Sequence, residues 1–348
     1  MKRSIFNTVS TQIRSSAIDS IVESICAAES ISRSELVSTT NLSTSTVSKA
    51  VKALLDTGAV VKKRASQRKP DAKGAPESHV CLSNKICTAV LDLSSSVYSV
   101  NLICNGKSYL RYTHKYDPGF DFRDNLYECI SRAFMKIRLK DGVAMNVCAL
   151  YADSTSVDRG VQAYLPGELD REIIDATLYD VCRRTTTECV SKGQAMRDAV
   201  SFNVISRAGG LGGVSFLSIG STLSAFYISP DQAVINCKIQ NLIIDNNVTA
   251  DEYVRRCFTR DQFELLLLKS VNFIDAAFGA GTLVLESDTF EIDAATIKSI
   301  SRSFAAAKLS LPIIYPLYSG GNDVGVCVLS VAKRAESNFV KSLVQSVK

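Results

Sequence analysis

The sequence predicts an α/β protein, in which an N-terminal winged helix-turn-helix precedes a body of two similar α/β lobes. Residues 31–64 show the pattern of a short helix, a tight turn, an amphipathic helix and a strand. From residue 86 onward, strands followed by alternating helices and strands occur twice, which is typical of a repeated α/β unit. A chain of 348 residues is long enough for two or three separate cores.

We therefore expect three domains. Residues 1–82 form the winged helix-turn-helix with a basic wing, residues 83–200 the first lobe, and residues 201–348 the second lobe, whose last helix packs back on the first. The positive charge is uneven, because residues 1–79 carry 12 Lys/Arg against 7 Asp/Glu and so hold the whole net charge of +5. This distribution favours a head that contacts phosphates and a neutral body.

The N-terminal helices show apolar stripes at helical spacing. In residues 15–28, Ile18, Ile21 and Ile25 lie on one side, and this helix is expected to close a three-helix core. In residues 43–57 the stripe includes Val47 and Leu54. Ser43 is expected to cap this second helix and Gly58 to end it. Its opposite face is small, polar or cationic, and we predict that Ser43, Thr44, Ser45, Thr46, Ser48 and Lys49 face the major groove of DNA. Lys52 is expected to contribute mostly affinity that depends on salt and not on base sequence.

Further DNA contacts are predicted on either side of this recognition helix. Ser32 and Glu35 have the spacing of a capping box, which opens the preceding helix and places Arg33 and Ser34 at its start. After the recognition helix, six cations occur within twelve residues: Lys62, Lys63, Arg64, Arg68, Lys69 and Lys73. We interpret this segment as a basic wing that reaches phosphates or a minor groove. A solvated interdomain linker is the alternative.

The body is predicted to repeat one order of elements. In the first lobe, strands are expected at 87–93, 97–104, 108–116, 143–151 and 188–190, and helices at 120–138, 169–183 and 194–202. In the second lobe, strands are expected at 213–219, 223–229, 282–286 and 311–315, and helices at 261–278, 293–307 and 323–335. Asn105-Gly106 predicts a tight hairpin turn between the second and third strands.

The composition excludes several classes. No apolar run is long enough for a membrane span, and the first residues lack a secretory signal, so a cytoplasmic location without membrane association is expected. The 11 cysteines are scattered without a CxxC, which indicates buried thiols in a reducing compartment and argues against a disulfide framework or a zinc site. We expect no metal and no cofactor.

The segment ISRSELVSTTNLSTSTVSKAVKALLDTGAVVKK resembles the N-terminal module of the ROK family (repressors, open reading frames, kinases). The late segment YPLYSGGNDVGVCVLSVAKR is similar to the family's final helix region. The resemblance implies a winged helix ahead of a two-lobed body with the actin and hexokinase ATPase fold. Where the family has Gly-Arg-Pro at the end of the wing, this chain has Gly74-Ala75-Pro76, so Ala75 replaces the arginine.

The resemblance fails at the positions that family kinases use for catalysis. The first phosphate loop, Asp-x-Gly-x-Thr in the family, reads Asp92-Leu93-Ser94-Ser95-Ser96. The Glu-Asn-Asp triplet, which ends in the general base, reads Ser191-Lys192-Gly193, and the glycine-rich second phosphate loop reads Gly220-Ser221-Thr222-Leu223-Ser224. The family's sugar-binding and zinc segments are absent from the sequence. Phosphoryl transfer is therefore not expected.

These observations predict a sequence-specific DNA-binding transcription regulator, a repressor, with an inactive sugar-kinase-like body. Its partners would be a double-stranded operator, a second copy in a homodimer or dimer of dimers, and a sugar or sugar phosphate effector. The candidate ligand contacts are Asp92, Lys192 and Gln194. The alternatives without a ligand are that Asp92 caps its own turn and that Lys192 is an ordinary surface lysine. Three alternatives stay open: an active sugar kinase with a DNA-binding head, a body that is only a dimerisation scaffold, and a helix-turn-helix that contacts only protein.

Overall fold

The fold was analysed in a computed structural model of the chain. The structure describes residues 6–28, 30–64, 78–94, 97–137, 143–151, 171–202, 213–219, 223–229, 233–237, 239–256, 259–278, 282–287, 290, 292–306, 313–318 and 325–346. Within these ranges, none of the helices combines the length and the apolar character that a bilayer span requires. The same ranges contain no cluster of three His, Cys, Asp or Glu side chains arranged to hold a metal ion.

The head is a small helical module with a three-stranded sheet. Its elements are β1 (Val9–Thr11), α1 (Ser15–Ala27), β2 (Ile31–Ser32), α2 (Arg33–Thr40), α3 (Thr44–Thr57), β3 (Val60–Arg64) and β4 (Ser78–Leu82). The sheet order is β2-β4-β3, and all pairs are antiparallel. The apolar stripes of α1 and α3 meet in one core, where Ile21, Val47 and Leu54 are fully buried, as the helical periodicity predicted.

The first lobe is a five-stranded mixed sheet with helices on both faces. Its elements are β5 (Ile86–Asp92), β6 (Val97–Cys104), β7 (Lys107–Lys115), α4 (Phe122–Lys136), β8 (Ala144–Tyr151), α5 (Arg171–Cys182), β9 (Glu188–Ser191) and α6 (Lys192–Ser201). The strand order is β7-β6-β5-β8-β9, with β5, β8 and β9 parallel. Asn105 and Gly106 both have positive φ, which confirms the predicted tight turn between β6 and β7.

The second lobe repeats this plan. Its elements are β10 (Val214–Ile219), β11 (Leu223–Ile228), β12 (Val234–Cys237), β13 (Ile243–Asp245), β14 (Val248–Thr249), α7 (Ala250–Arg255), α8 (Arg260–Phe278), β15 (Thr282–Ser287), α9 (Ala294–Ala306) and β16 (Ile313–Tyr318). The main sheet has the order β12-β11-β10-β15-β16, with β10, β15 and β16 parallel. The matching arrangement confirms the predicted α/β body of two similar halves.

The C-terminal helix joins the head to the body. After the second lobe the chain forms α10 (Val326–Ser342) and β17 (Val344–Ser346). Helix α10 packs on α6, on the β5 and β8 side of the first sheet, and on α1 of the head. Strand β17 pairs in parallel with β1, so the two ends of the described chain meet in the head. Val340 and Leu343 belong to the same buried cluster as the apolar residues of α1 and α3.

Several sequence predictions are corrected. The last helix was expected to end at residue 335, but α10 continues to Ser342 because Glu336 and Ser337, which break the apolar pattern, are themselves buried. Strands β1, β12 and β17 and helix α7 were not predicted. The expectation that all cysteines are thiols is wrong, because Cys87 and Cys104 lie opposite each other on β5 and β6 and form a disulfide. The other described cysteines are free.

A small polar cluster lies where the head meets the body, and we call it the joint. It consists of Cys26 at the end of α1, Asn105 in the β6–β7 turn, and Lys333 and Glu336 on α10. The Asn105 backbone N–H donates to Glu336 Oε1 over 3.1 Å. Burial raises the pKa of the Glu336 carboxyl to about 8 and also raises the pKa of the Cys26 thiol. Glu336 is therefore mostly protonated at neutral pH.

Glu336→Gln should change how stability depends on pH, because glutamine keeps an acceptor oxygen but cannot ionise. The stabilising effect of a neutral Glu336 is fully present below its unfolded pKa near 4.5 and is lost as the pH rises through about 8. Between about pH 5 and pH 9, the wild-type free energy of unfolding should fall relative to the variant by on the order of 3 kcal/mol.

Urea unfolding of both proteins across this pH range measures the difference. Glu172→Gln, at an exposed position of α5, controls for the loss of a carboxylate elsewhere. Parallel stability profiles for the wild type and Glu336→Gln would show that Glu336 has no raised pKa in the folded protein.

Candidate nucleic-acid interface

Helix α3 presents the predicted polar face. Ser43 is its N-cap, and the Ser43 Oγ accepts the Thr46 N–H over 3.2 Å. Gly58 ends the helix at φ 78°, with its N–H donating to the Leu55 carbonyl over 3.0 Å. The caps therefore act as the sequence predicted. The predicted side chains on the face opposite the buried stripe are exposed or half-buried, namely Ser43, Thr44, Ser45, Thr46, Ser48, Lys49 and Lys52.

The start of α2 is held by the predicted capping box. Ser32 Oγ accepts the Glu35 N–H over 3.2 Å, and Glu35 Oε2 accepts the Ser32 N–H over 2.7 Å. The hydrogen bond from the Ser32 backbone lowers the pKa of Glu35, so this carboxyl stays ionised. Arg33 is the first helical residue, and its half-buried side chain has an enclosed Nε without a hydrogen-bond partner. Ser34 is exposed, with its Oγ 3.0 Å from that of Ser32.

An open groove of about 550 Å³ runs along this side of the head. Its lining combines residues of α2, α3 and β3: Arg33, Ser48, Lys49, Lys52, Leu55, Asp56 and Lys62. Four of the seven are cations, and they come from three separate elements. Asp56 is the single acid in the lining. The groove is therefore strongly positive and can accept a polyanion that lies along α3.

The remaining predicted wing residues fall into two groups. Lys62 and Lys63 are exposed on β3, paired across the sheet with Val80 and His79 of β4, and Arg64 ends the strand. Arg68, Lys69 and Lys73 lie outside the described residues, so their contacts stay predictions.

In the body, the carboxyl ends of the parallel strands of the two mixed sheets lie toward each other. Asp92 ends β5 and Lys192 follows β9, so both lie at one edge of the first-lobe sheet. Ser218 on β10 and Glu286 on β15 are neighbours in register at the corresponding edge of the second-lobe sheet. Lys192 reaches this edge, since its Nζ donates to Ser218 Oγ over 3.2 Å.

Each candidate ligand residue has a partner within the chain. Asp92 Oδ1 accepts the Ser94 N–H over 3.1 Å, as a turn cap does. Gln194 donates to Asp198 one helical turn later over 2.9 Å. The alternative of a surface Lys192 is wrong, because this side chain is only 9% exposed. Ser218 in turn donates to Glu286 Oε2 over 3.3 Å, which completes a chain between the lobes.

Three residues of these sites were not predicted from the sequence: Asp56, Ser218 and Glu286. Asp56 lies on α3 in phase with Lys52 and Lys49, so its place in the groove follows from helical spacing once the face is known. Ser218 and Glu286 are 26 and 68 residues from their partners, and no local pattern connects them.

Ser43→Ala should destabilise the protein by about 1 kcal/mol, because it removes the acceptor for the N–H of Thr46 at the start of α3. Ser45→Ala is the matched control, since Ser45 is exposed inside the helix, where alanine is tolerated or slightly favourable. The free energy of unfolding in urea measures both effects. Equal stabilities for the two variants would contradict the capping role of Ser43.

Comparisons with known proteins support the fold assignment. No protein-family model matches the sequence, and no curated protein sequence matches it. Among solved structures, a ROK family transcriptional regulator, described as a homologue of the E. coli MLC protein, superposes with a TM-score of 0.61 at 12% identity. This match covers 94% of this chain and 99% of that chain.

Two kinases superpose less well. One is an inorganic polyphosphate/ATP glucomannokinase from Arthrobacter sp. strain KM, with a TM-score of 0.45 at 13% identity, which covers 73% of this chain and 98% of that chain. The other is a ROK family glucokinase from Streptomyces griseus in complex with glucose and AMPPNP, with a TM-score of 0.45 at 10% identity, which covers 71% of this chain and 98% of that chain. By the superposition that covers 94% of it, this chain has the fold of a ROK family transcriptional regulator.

Proposed function

We propose that this chain is a ROK family transcription regulator, a repressor that binds a specific double-stranded DNA operator through its head. The observation that carries the proposal is the groove in which Arg33, Lys49, Lys52 and Lys62 converge beside the capped polar face of α3. Cations from three elements that line one helix are suited to contact the phosphates beside a major groove. The fold shared with a ROK family regulator supports the same function.

The two sets of side chains would act differently. The cations would contribute affinity that depends on salt and hardly on sequence, because they contact phosphates and release counterions. The hydroxyls of Thr44, Ser45 and Ser48 are short enough to let α3 approach base edges closely, where they donate to or accept from either base of a pair. A helix-turn-helix that contacted only protein would gain little from a groove lined by four cations.

We further propose that the body does not transfer phosphate. The general base of a kinase must accept a proton from the substrate hydroxyl. The triplet that ends in this base reads Ser191-Lys192-Gly193 here, so a glycine stands at the place of the base. The residue before it, Lys192, is a buried cation whose Nζ donates to Ser218. Asp92 accepts hydrogen bonds from Ser94, so its Oδ1 is used within its own turn. The body would instead serve dimerisation, and a sugar or sugar phosphate would act as effector.

Replacing Lys49, Lys52 and Lys62 together by alanine should weaken DNA binding and flatten its salt dependence. The duplexes for this measurement are recovered with the wild-type chain by selection from a random pool. The slope of log affinity against log salt should decrease by about 0.9 for each lost phosphate contact. Lys298→Ala, an exposed lysine on α9, is the matched control and should bind as the wild type does. An unchanged slope in the triple variant would refute the proposed interface.

The full chain, supplied with ATP and Mg²⁺ and a panel of hexoses, should form no more ADP than it does without a sugar. The reason is the absence of a carboxylate base at Ser191-Lys192-Gly193. A coupled assay of ADP release measures this. Hexose-dependent ADP release that scales with protein concentration would establish a sugar kinase and reject the inactive body.

A further inference from the structure

Lys333 lies between the last turns of two helices that belong to different parts of the molecule. Its Nζ donates to the carbonyl of Ala27, the last residue of α1 in the head, over 3.2 Å. It also donates to the carbonyl of Phe202, directly after α6 of the first lobe, over 3.2 Å. The last carbonyls of a helix lack intrahelical partners and carry the negative end of its dipole, so one ammonium group satisfies both helix ends.

The helix that carries Lys333 is fixed to α6 by further contacts. Ser330 Oγ donates to the Ala195 carbonyl over 2.6 Å, and Arg334 forms ion pairs with Asp198 on α6 and Glu188 on β9. Helix α6 begins at Lys192, which crosses to the second lobe. Because α6 and α10 are held together along their length, a movement at the edge of the cleft is passed to α10.

On the other side, α10 is fixed to the head. Lys341 forms an ion pair of 2.7 Å with Glu23 of α1, and Phe6 packs edge-to-face on Phe339 with 5.6 Å between ring centroids. Lys341 is half-buried, but its partner Glu23 is 52% exposed, so solvent screens this pair and it contributes little to stability. Lys333 is bound to the backbone of α1 itself, so it limits rotation of α1 more directly than this solvent-screened pair of side chains does.

We propose that Lys333 is a positioning residue that sets the orientation of the DNA-binding head relative to the body by capping α1 and α6 together. In a dimer, this orientation sets the distance and angle between the two recognition helices. Lys333 thus determines which half-site spacing the regulator accepts, and it links the cleft between the lobes to DNA binding. The DNA part of this inference rests on the proposed function.

The test compares Lys333→Met, which keeps the apolar stem and removes the ammonium, with Lys341→Met, which removes a cation from the same helix near the same face of α1. Lys333→Arg is the conservative variant, since a guanidinium donates to two carbonyls as well. The probes are a two-half-site duplex selected with the wild-type chain and a duplex that contains one half-site of it. Circular dichroism establishes that each variant is folded.

Lys333→Met should bind the single half-site with an affinity within about twofold of the wild type. Its affinity for the two-half-site duplex should fall by at least about tenfold, because a second head without a fixed orientation meets its half-site at a lower effective concentration. Lys333→Arg should restore most of the loss, and Lys341→Met should show almost none. Equal losses on both duplexes, or no loss on either, would overturn the positioning role.

A second measurement does not need DNA. Amide hydrogen exchange in the last turns of α1 and α6 should be at least about tenfold faster in Lys333→Met, and unchanged in Lys341→Met, because the variant lacks the shared cap. Faster exchange in only one of the two helices would overturn the proposal. If the wild-type chain selects no duplex, the proposed DNA function fails, and the exchange rates alone decide whether Lys333 joins the two helices.

Discussion

The packing of α10 against α1 is the contact on which the rest of the architecture depends. A three-helix head with a short sheet buries only a limited apolar area by itself. Here its core is extended by Val340 and Leu343, which come from the opposite end of the chain, and by Phe202 of α6. The pairing of β1 with β17 adds main-chain hydrogen bonds to the same contact. The stability of the head is therefore coupled to the folding of the body, and the two are not independent units on a linker.

Helix α10 also belongs to the hydrophobic core that the two lobes share. One hydrophobic cluster contains Phe216 and Phe226 of the second lobe, Val90 of the first and Val331 of α10, so the lobes share a core beside the cleft. At the edge of that core, Lys192, Ser218 and Glu286 form a buried polar chain. Buried charges are tolerated when they are hydrogen-bonded to partners of the opposite sign. These three side chains thus satisfy one another where the two lobes meet.

The sequence predicted what is encoded locally and missed what depends on distant contacts. The caps at Ser43 and Gly58 and the turn at Asn105-Gly106 follow from the preferences of single residues, and all three are present. Helix α10 was predicted too short because Glu336 interrupts its apolar period, and its burial is a consequence of tertiary packing. Three-residue strands such as β1 and β17 have too few residues for an alternating pattern. The shared cap at Lys333 has no local signal at all, since its acceptors are 306 and 131 residues away.

The division of the head into a buried and a polar face limits how it can be regulated. Helix α10 packs on the head through α1, and Val340 and Leu343 share a buried cluster with the apolar stripe of α3, on the side opposite its polar face. Under the proposed function, a signal from the body would therefore act on the orientation of the whole head, through α1 and the joint. Such a mechanism leaves the affinity for one half-site unaltered and acts on the affinity for two, because only the latter depends on geometry. In the proposed regulator, control of DNA binding would therefore act through the spacing between the two heads.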